Sequence, residues 1–150
     1  MKCISYKSGY KYQIVEDYPV LIPIKPPKGE DIVTDYIELD KKGLLTIKKG
    51  YAWDGPSGPT IDTHTFMRGS LVHDALYQLM RNEKLLKKEH RKAADKLIQE
   101  MCRDDGMNSI RAWVVYSVLR LAGGRAADHK NKKPVISAPK GVEEVKATSE

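Results

Sequence analysis

The apolar residues of this chain change their spacing near residue 50, from the alternation of strands to the three-to-four-residue period of helices, so a sheet must form first and helices after it. Before the change, residues 10–15 and 20–24 are rich in β-branched and aromatic side chains, and Pro19, Pro23, Pro26 and Pro27 confine them to sheet edges or strand ends. Residues 34–39 and 44–47 flank Asp40-Lys41-Lys42-Gly43, which has the chemistry of a hairpin turn closed by glycine. A small antiparallel sheet is expected over residues 1–50, and a loop over 51–65. In the first helix Phe66, Ser70, His73, Tyr77 and Met80 share a face that Val72, Leu76 and Leu79 widen. The second helix, residues 88–103, carries an Ala94, Leu97, Ile98 and Met101 stripe and stops at Asp104-Asp105-Gly106. The third takes Asn108 or Ser109 as its cap and runs through Ile110, Trp113, Val114, Tyr116, Val118 and Leu121 to Gly123-Gly124. Its stripe reads as core or, alternatively, as a partner surface. Beyond Arg125 large apolar residues are few. The expected fold is α+β, one domain over residues 1–124 with a flexible tail over 125–150.

A length of 150 residues suits one ordinary core. With 41% hydrophobic and 31% charged residues the composition is that of a globular protein, and no run approaches the roughly 18 apolar residues of a membrane span. Met1-Lys2-Cys3-Ile4-Ser5-Tyr6 lacks the apolar core of a secretory signal, so synthesis in the cytoplasm is expected. Cys3 and Cys102 are too few and too far apart for a disulfide framework or a structural zinc site. The net charge of +6 is densest around Lys84, Lys87, Lys88, Arg91, Lys92 and Lys96, where helical spacing sets several on a solvated face, and His90 reads as solvated among them. No aromatic residues interleave with these lysines, and no nucleic-acid motif is legible.

Polar residues interrupt the apolar faces where chemistry is expected. His73 and Tyr77 lie four apart on one helix face with Asp74 beside them, and Asp95 follows His73 by 22 positions on the next helix. A histidine whose second ring nitrogen is held by a carboxylate has a fixed tautomer and a stabilised cation, as a general base activating water requires. Asp95 is the candidate orienting carboxylate. Asp74 and the backbone carbonyls of Trp53-Asp54-Gly55-Pro56-Ser57-Gly58-Pro59 offer the hard oxygen ligands that calcium prefers. Asp62 and His64 read as loop bystanders.

The pattern His73-Asp74-x-x-Tyr77, the loop Trp53-x-Gly55-Pro56-Ser57-Gly58 and Ala94-Asp95 resemble the active site of phospholipase A2, in the disulfide-free form of parvovirus capsid proteins and small bacterial enzymes, over residues 51–105. That resemblance implies catalytic roles for His73, Tyr77 and Asp95, a calcium ligand in Asp74, and backbone calcium oxygens from the loop residues Trp53, Gly55 and Ser57. The loop differs from that family's pattern at Trp53, Asp54 and Ser57. Over residues 10–124 the chain is also similar to a family of small uncharacterised bacteriophage and prophage proteins, which implies a viral origin, synthesis in a bacterial host and a place in or near the virion.

Three functions follow as expectations. The first is a calcium-dependent esterase acting on phospholipid or a related ester. The second is a non-enzymatic phage accessory protein that binds a phage or host protein. The third is a metal phosphohydrolase of the histidine-aspartate type, which would need a further histidine, with His64 the near candidate.

Overall fold

The computed structural model describes residues 4, 6–7, 12–55 and 64–131. In chain order these form strands β1 (Tyr6–Lys7), β2 (Tyr12–Ile14), β3 (Tyr18–Leu21), β4 (Ile32–Val33), β5 (Ile37–Leu39), β6 (Leu44–Ile47) and β7 (Ala52–Trp53), then helices α1 (His64–Arg81), α2 (Lys87–Asp104) and α3 (Ser109–Ala122). Single 3-10 turns occupy Pro27–Gly29 and His129–Asn131. The fold is α+β, with the strands before the helices.

The strands make two antiparallel sheets where one was expected: β1-β2-β7, and β3-β6-β5-β4. Gly50, at φ +92°, turns the chain out of β6, and its N–H donates to the Ile14 carbonyl (2.9 Å) while Ile14 N–H donates to Tyr51 (3.1 Å). That turn recruits β7 beside β2, so the stretch read as loop from residue 51 begins with two paired strand residues. Pro19 lies on β3, an edge of its sheet, where its missing N–H interrupts no ladder. The hairpin between β5 and β6 closes as its residues dictate. The Asp40 carboxylate accepts from the N–H groups of Lys42 and Leu44, both at 2.8 Å. Gly43 has φ +94°, and a Cβ there would stand 2.5 Å from the Ile22 carbonyl oxygen. The register Ile37↔Ile47 and Leu39↔Leu45 puts four fully buried aliphatic side chains on one face.

That face and α1 share the main core, which also takes Ala94, Leu97 and Met101 from α2 and Ala127 from beyond α3. Twelve of the 18 residues of α1 are buried, so it is the central helix rather than a half-exposed one. Gly69 lets α2 approach closely, since a Cβ there would stand 3.1 Å from Ile98 Cγ1 and 3.2 Å from Cys102 Sγ. A second, smaller core of Phe66, Ile98, Cys102, Met107, Ala112 and Val115 joins α3 to α2. Arg68 on α1 clamps Asp105 with Nη2 at 2.7 Å and donates to the Tyr18 hydroxyl at 3.3 Å, tying the end of α2 to β3. Asn108 caps α3, accepting from Ile110 N–H at 2.8 Å.

Two expectations need correction. The stripe of α3 is not core: Ile110, Trp113, Val114, Val118 and Leu121 are exposed, and the helix buries Ala112 and Val115 instead. The packed body also continues past residue 125. Ala127 is buried, Arg81 donates to the Ala126 carbonyl (2.7 Å) and Lys87 pairs with Asp128 (3.2 Å). Few large side chains are needed there, because one small alanine fills the end of the main core. Among the described residues no helix is long and apolar enough to cross a membrane.

Candidate active site

α1 carries a polar residue on each of two sides. On the side facing α2, His73 Nε2 lies 2.8 Å from Asp95 Oδ1, and the Tyr77 hydroxyl donates to the same oxygen at 2.5 Å. The rings of His73 and Tyr77 sit with centroids 4.0 Å apart and planes tilted by 40°. His73 and Tyr77 are 5% and 3% exposed, and Asp95 not at all. An ionised carboxylate only accepts, so Nε2 of His73 bears its hydrogen and Nδ1 is the basic nitrogen of the neutral ring. The structure thus brings together the three residues read as catalytic: helical phase sets 73 and 77 one turn apart, and the α1–α2 packing at Gly69 closes the gap to Asp95.

Two arginines complete the cluster. Arg120 of α3 donates to Asp95 Oδ2 at 2.8 Å, and Arg91, one turn before Asp95, has Nε 3.7 Å from that oxygen and 3.3 Å from the Tyr77 hydroxyl. Arg91 Nη2 also donates to the carbonyls of Leu119 (2.6 Å) and Arg120 (2.9 Å) at the end of α3. Burial pushes the Asp95 carboxyl up, but the bonds from His73, Tyr77 and Arg120 outweigh it and hold the group below the ordinary carboxylate value. Burial, then Asp95, raises the Tyr77 phenol, which stays a donor. Gly123 and Gly124 leave room for the cluster. A Cβ on Gly123 would stand 2.8 Å from the Tyr77 oxygen, and one on Gly124 3.3 Å from Arg91 Nη1.

Sequence reasoning missed both arginines. Arg91 lies in a run of lysines that suggested a solvated face, yet its side chain is only 15% exposed. Arg120 is 25 residues from Asp95 and looks like any helix-end cation. His90 is corrected too: its side chain is 19% exposed, and Nε2 is buried with no hydrogen-bond partner among the described residues.

Asp74 occupies the other side of α1. Its carboxyl is pushed up to about 6, by burial above all, against the pull of the His73 and Arg81 charges and with a smaller push from Asp54. The Tyr51 phenol beside it is raised by burial first and then by Asp74. Among the described residues no group hydrogen-bonds to Asp74. Asp74 and Asp54 are therefore two carboxylates in electrostatic contact at the junction of β7 and α1. The Trp53 indole N–H donates to the Ser70 hydroxyl at 3.1 Å, which pins β7 to α1 and leaves the Trp53 backbone as its part in holding an ion. Gly55 has φ +73°, and a Cβ there would overlap the Tyr12 ring, so its glycine is required for packing. Ser57, Gly58 and Asp62 lie outside the described residues. His64 is the exposed first residue of α1, nine positions from His73 and so about half a turn out of phase with it. Among the described residues no group of three or more His, Cys, Asp or Glu side chains is gathered for a metal ion.

On its outer side the cluster borders an open groove of about 670 Å³ in which the cations Arg91, Arg120, Lys87, Lys88, Lys92 and Lys130 outnumber the acids Glu83, Glu89 and Asp128. Residues 31–119, from the residue before β4 to the last turn of α3, match the family model described as a protein of unknown function, DUF1353. The chain belongs to that family. The DUF1353 match contains His73, Asp74, Tyr77, Arg91 and Asp95 and ends one residue before Arg120. No curated protein and no solved structure matches the chain.

Proposed function

We propose that this DUF1353 protein is a cation-assisted ester hydrolase, similar in its parts to phospholipase A2 and of phage origin, with His73 as general base and an anionic ester such as a phospholipid as substrate. The observation that carries the reading is the single buried carboxylate oxygen, Asp95 Oδ1, that receives both His73 Nε2 and the Tyr77 hydroxyl. Held there, the ring has one tautomer, and Nδ1 takes the proton from the attacking water and returns it to the leaving oxygen. The arginines on Oδ2 keep Asp95 ionised through the cycle, so the proton stays on the imidazole. They also reduce the stabilisation that Asp95 lends the imidazolium, because its charge is shared.

Asp74 and Asp54, with the backbone carbonyls of residues 53–55, are the oxygen donors that would hold a divalent cation. They fit one in this respect: a carboxyl pushed up by burial and by a second acid is relieved when a cation is held between them. A calcium ion held by these oxygens would supply Lewis-acid polarisation of the ester carbonyl. The excess of cations over acids in the groove beside Arg91 and Arg120 favours a substrate bearing phosphate. The histidine-aspartate phosphohydrolase reading has less support, since His64 is exposed and out of phase with His73.

Calcium titration of wild type and Asp74→Asn, followed by phospholipid and soluble-ester turnover by wild type and His73→Ala, tests the reading. Saturable binding lost in the first variant, and a rate loss of about 10²-fold or more in the second at unchanged melting temperature, are expected. A folded wild type that neither binds a divalent cation nor turns over any ester overturns it and favours the non-enzymatic accessory protein.

A further inference from the structure

The outward side of α3 is apolar without interruption by charge. Ile110, Trp113, Val114, Val118 and Leu121 are 74%, 60%, 42%, 54% and 89% exposed. At 100° per residue they fall within about 140° of the helix circumference along a length of about 17 Å. A contiguous face of this kind marks a surface that something covers.

Charge selects the occupant. α3 contains no Asp or Glu; Arg111 and Arg120 border the stripe on its two sides, and Arg125 and Lys130 follow its C-terminal end. The acids Glu100 and Asp104 stand at the N-terminal end, beside Arg103. A second copy of the chain, itself at +6, would bring a second α3 that carries no acid, leaving only Glu100 and Asp104 of α2, at one end of the face, to answer these cations. An anionic surface meets the exposed Arg125 and Lys130, and the third of the Arg120 side chain that remains exposed beside Asp95. Trp113, next in angle to Arg120, is the residue type that settles at a water–hydrocarbon boundary.

We propose that the α3 face docks on an anionic lipid surface, with Trp113 and its aliphatic neighbours entering the headgroup region and the exposed Arg125 and Lys130 meeting lipid phosphates. Docking requires neither His73 nor a cation, so it stands or falls apart from the hydrolase reading.

Fluorescence reads the contact directly. The chain has two tryptophans; Trp53 is 2% exposed and Trp113 60%, so a spectral change on adding vesicles reports Trp113. Full-length wild type, His73→Ala, Val118→Glu and Leu121→Glu are mixed with vesicles of phosphatidylcholine, alone or with a minority of phosphatidylglycerol, and then sedimented. A blue shift and co-sedimentation with the anionic vesicles only, weakened by salt, are expected for wild type and His73→Ala. Affinity should fall about tenfold or more in each glutamate variant. Equal binding to neutral vesicles overturns the choice of an anionic surface. No shift on either vesicle overturns docking, and a dimer mass with a concentration-dependent blue shift in the absence of lipid assigns the face to a second copy.

Discussion

Asp95 holds three helices with one carboxylate, accepting from α1 through His73 and Tyr77 and from α3 through Arg120 while itself on α2. Asp95→Asn keeps the shape and removes the charge that answers two arginines; a loss of about 3–5 kcal/mol in urea unfolding is expected. Because the folded carboxyl lies below its ordinary 3.8, its contribution is full above that value and is lost as pH falls through the folded one, so acid unfolding should set in below about pH 4. Asp74 has the opposite sign. Its carboxyl is raised to about 6, so the stability it contributes is full below 3.8 and lost as pH rises through 6. Asp74→Asn should therefore melt with wild type near pH 4 and above it at pH 8, where added calcium should raise the wild type alone. The two acids are legible as a pair only in part: His73, Tyr77 and Asp95 stand out as polar residues at helical phase on apolar stripes, whereas nothing local marks the partners of Asp95 on α3.

Helix ends shape the site as much as helix faces do. Gly123 reads in the chain as a stop signal for α3, and it is one, since its N–H donates to Leu119 at 2.8 Å. The structure adds a second reason, because the same glycine leaves room for the Tyr77 hydroxyl on its way to Asp95. Gly123→Ala should destabilise by about 1–3 kcal/mol through overpacking. In a Tyr77→Phe background the penalty should shrink, and a double-mutant cycle on denaturation midpoints that finds the two changes additive would refute the contact. Gly43 and Gly106 were equally readable, as turn closers with positive φ. Gly50 was not, since its consequence, the pairing of β7 with β2, depends on a strand 36 residues earlier. The stripe of α3 misled for a related reason: apolar period states that a helix has a face and leaves open whether anything within the chain covers it.

Two cores meet along α1 and α2, and Cys102 lies at the bottom of the smaller one, fully buried. Burial first, then Asp105, pushes its thiol up to about 12. Labelling of Cys102 by a disulfide reagent at pH 8 should therefore proceed only through unfolding, at a rate that follows denaturant; prompt reaction of Cys102 in the native protein would contradict the packing of α3 on α2. The order of strands and helices, the hairpin at Asp40-Lys41-Lys42-Gly43, the capping of α3 by Asn108, the common phase of His73 and Tyr77 and the place of Asp95 on the apolar stripe of its own helix were all set by local chemistry and periodicity, because turns, caps and helix faces are decided by neighbours within a few residues. The division into two sheets, the inward turn of Arg91, the reach of Arg120 to Asp95, the burial of Ala127 and the exposure of the α3 stripe were decided only by tertiary packing, because each depends on which distant surface arrives against it.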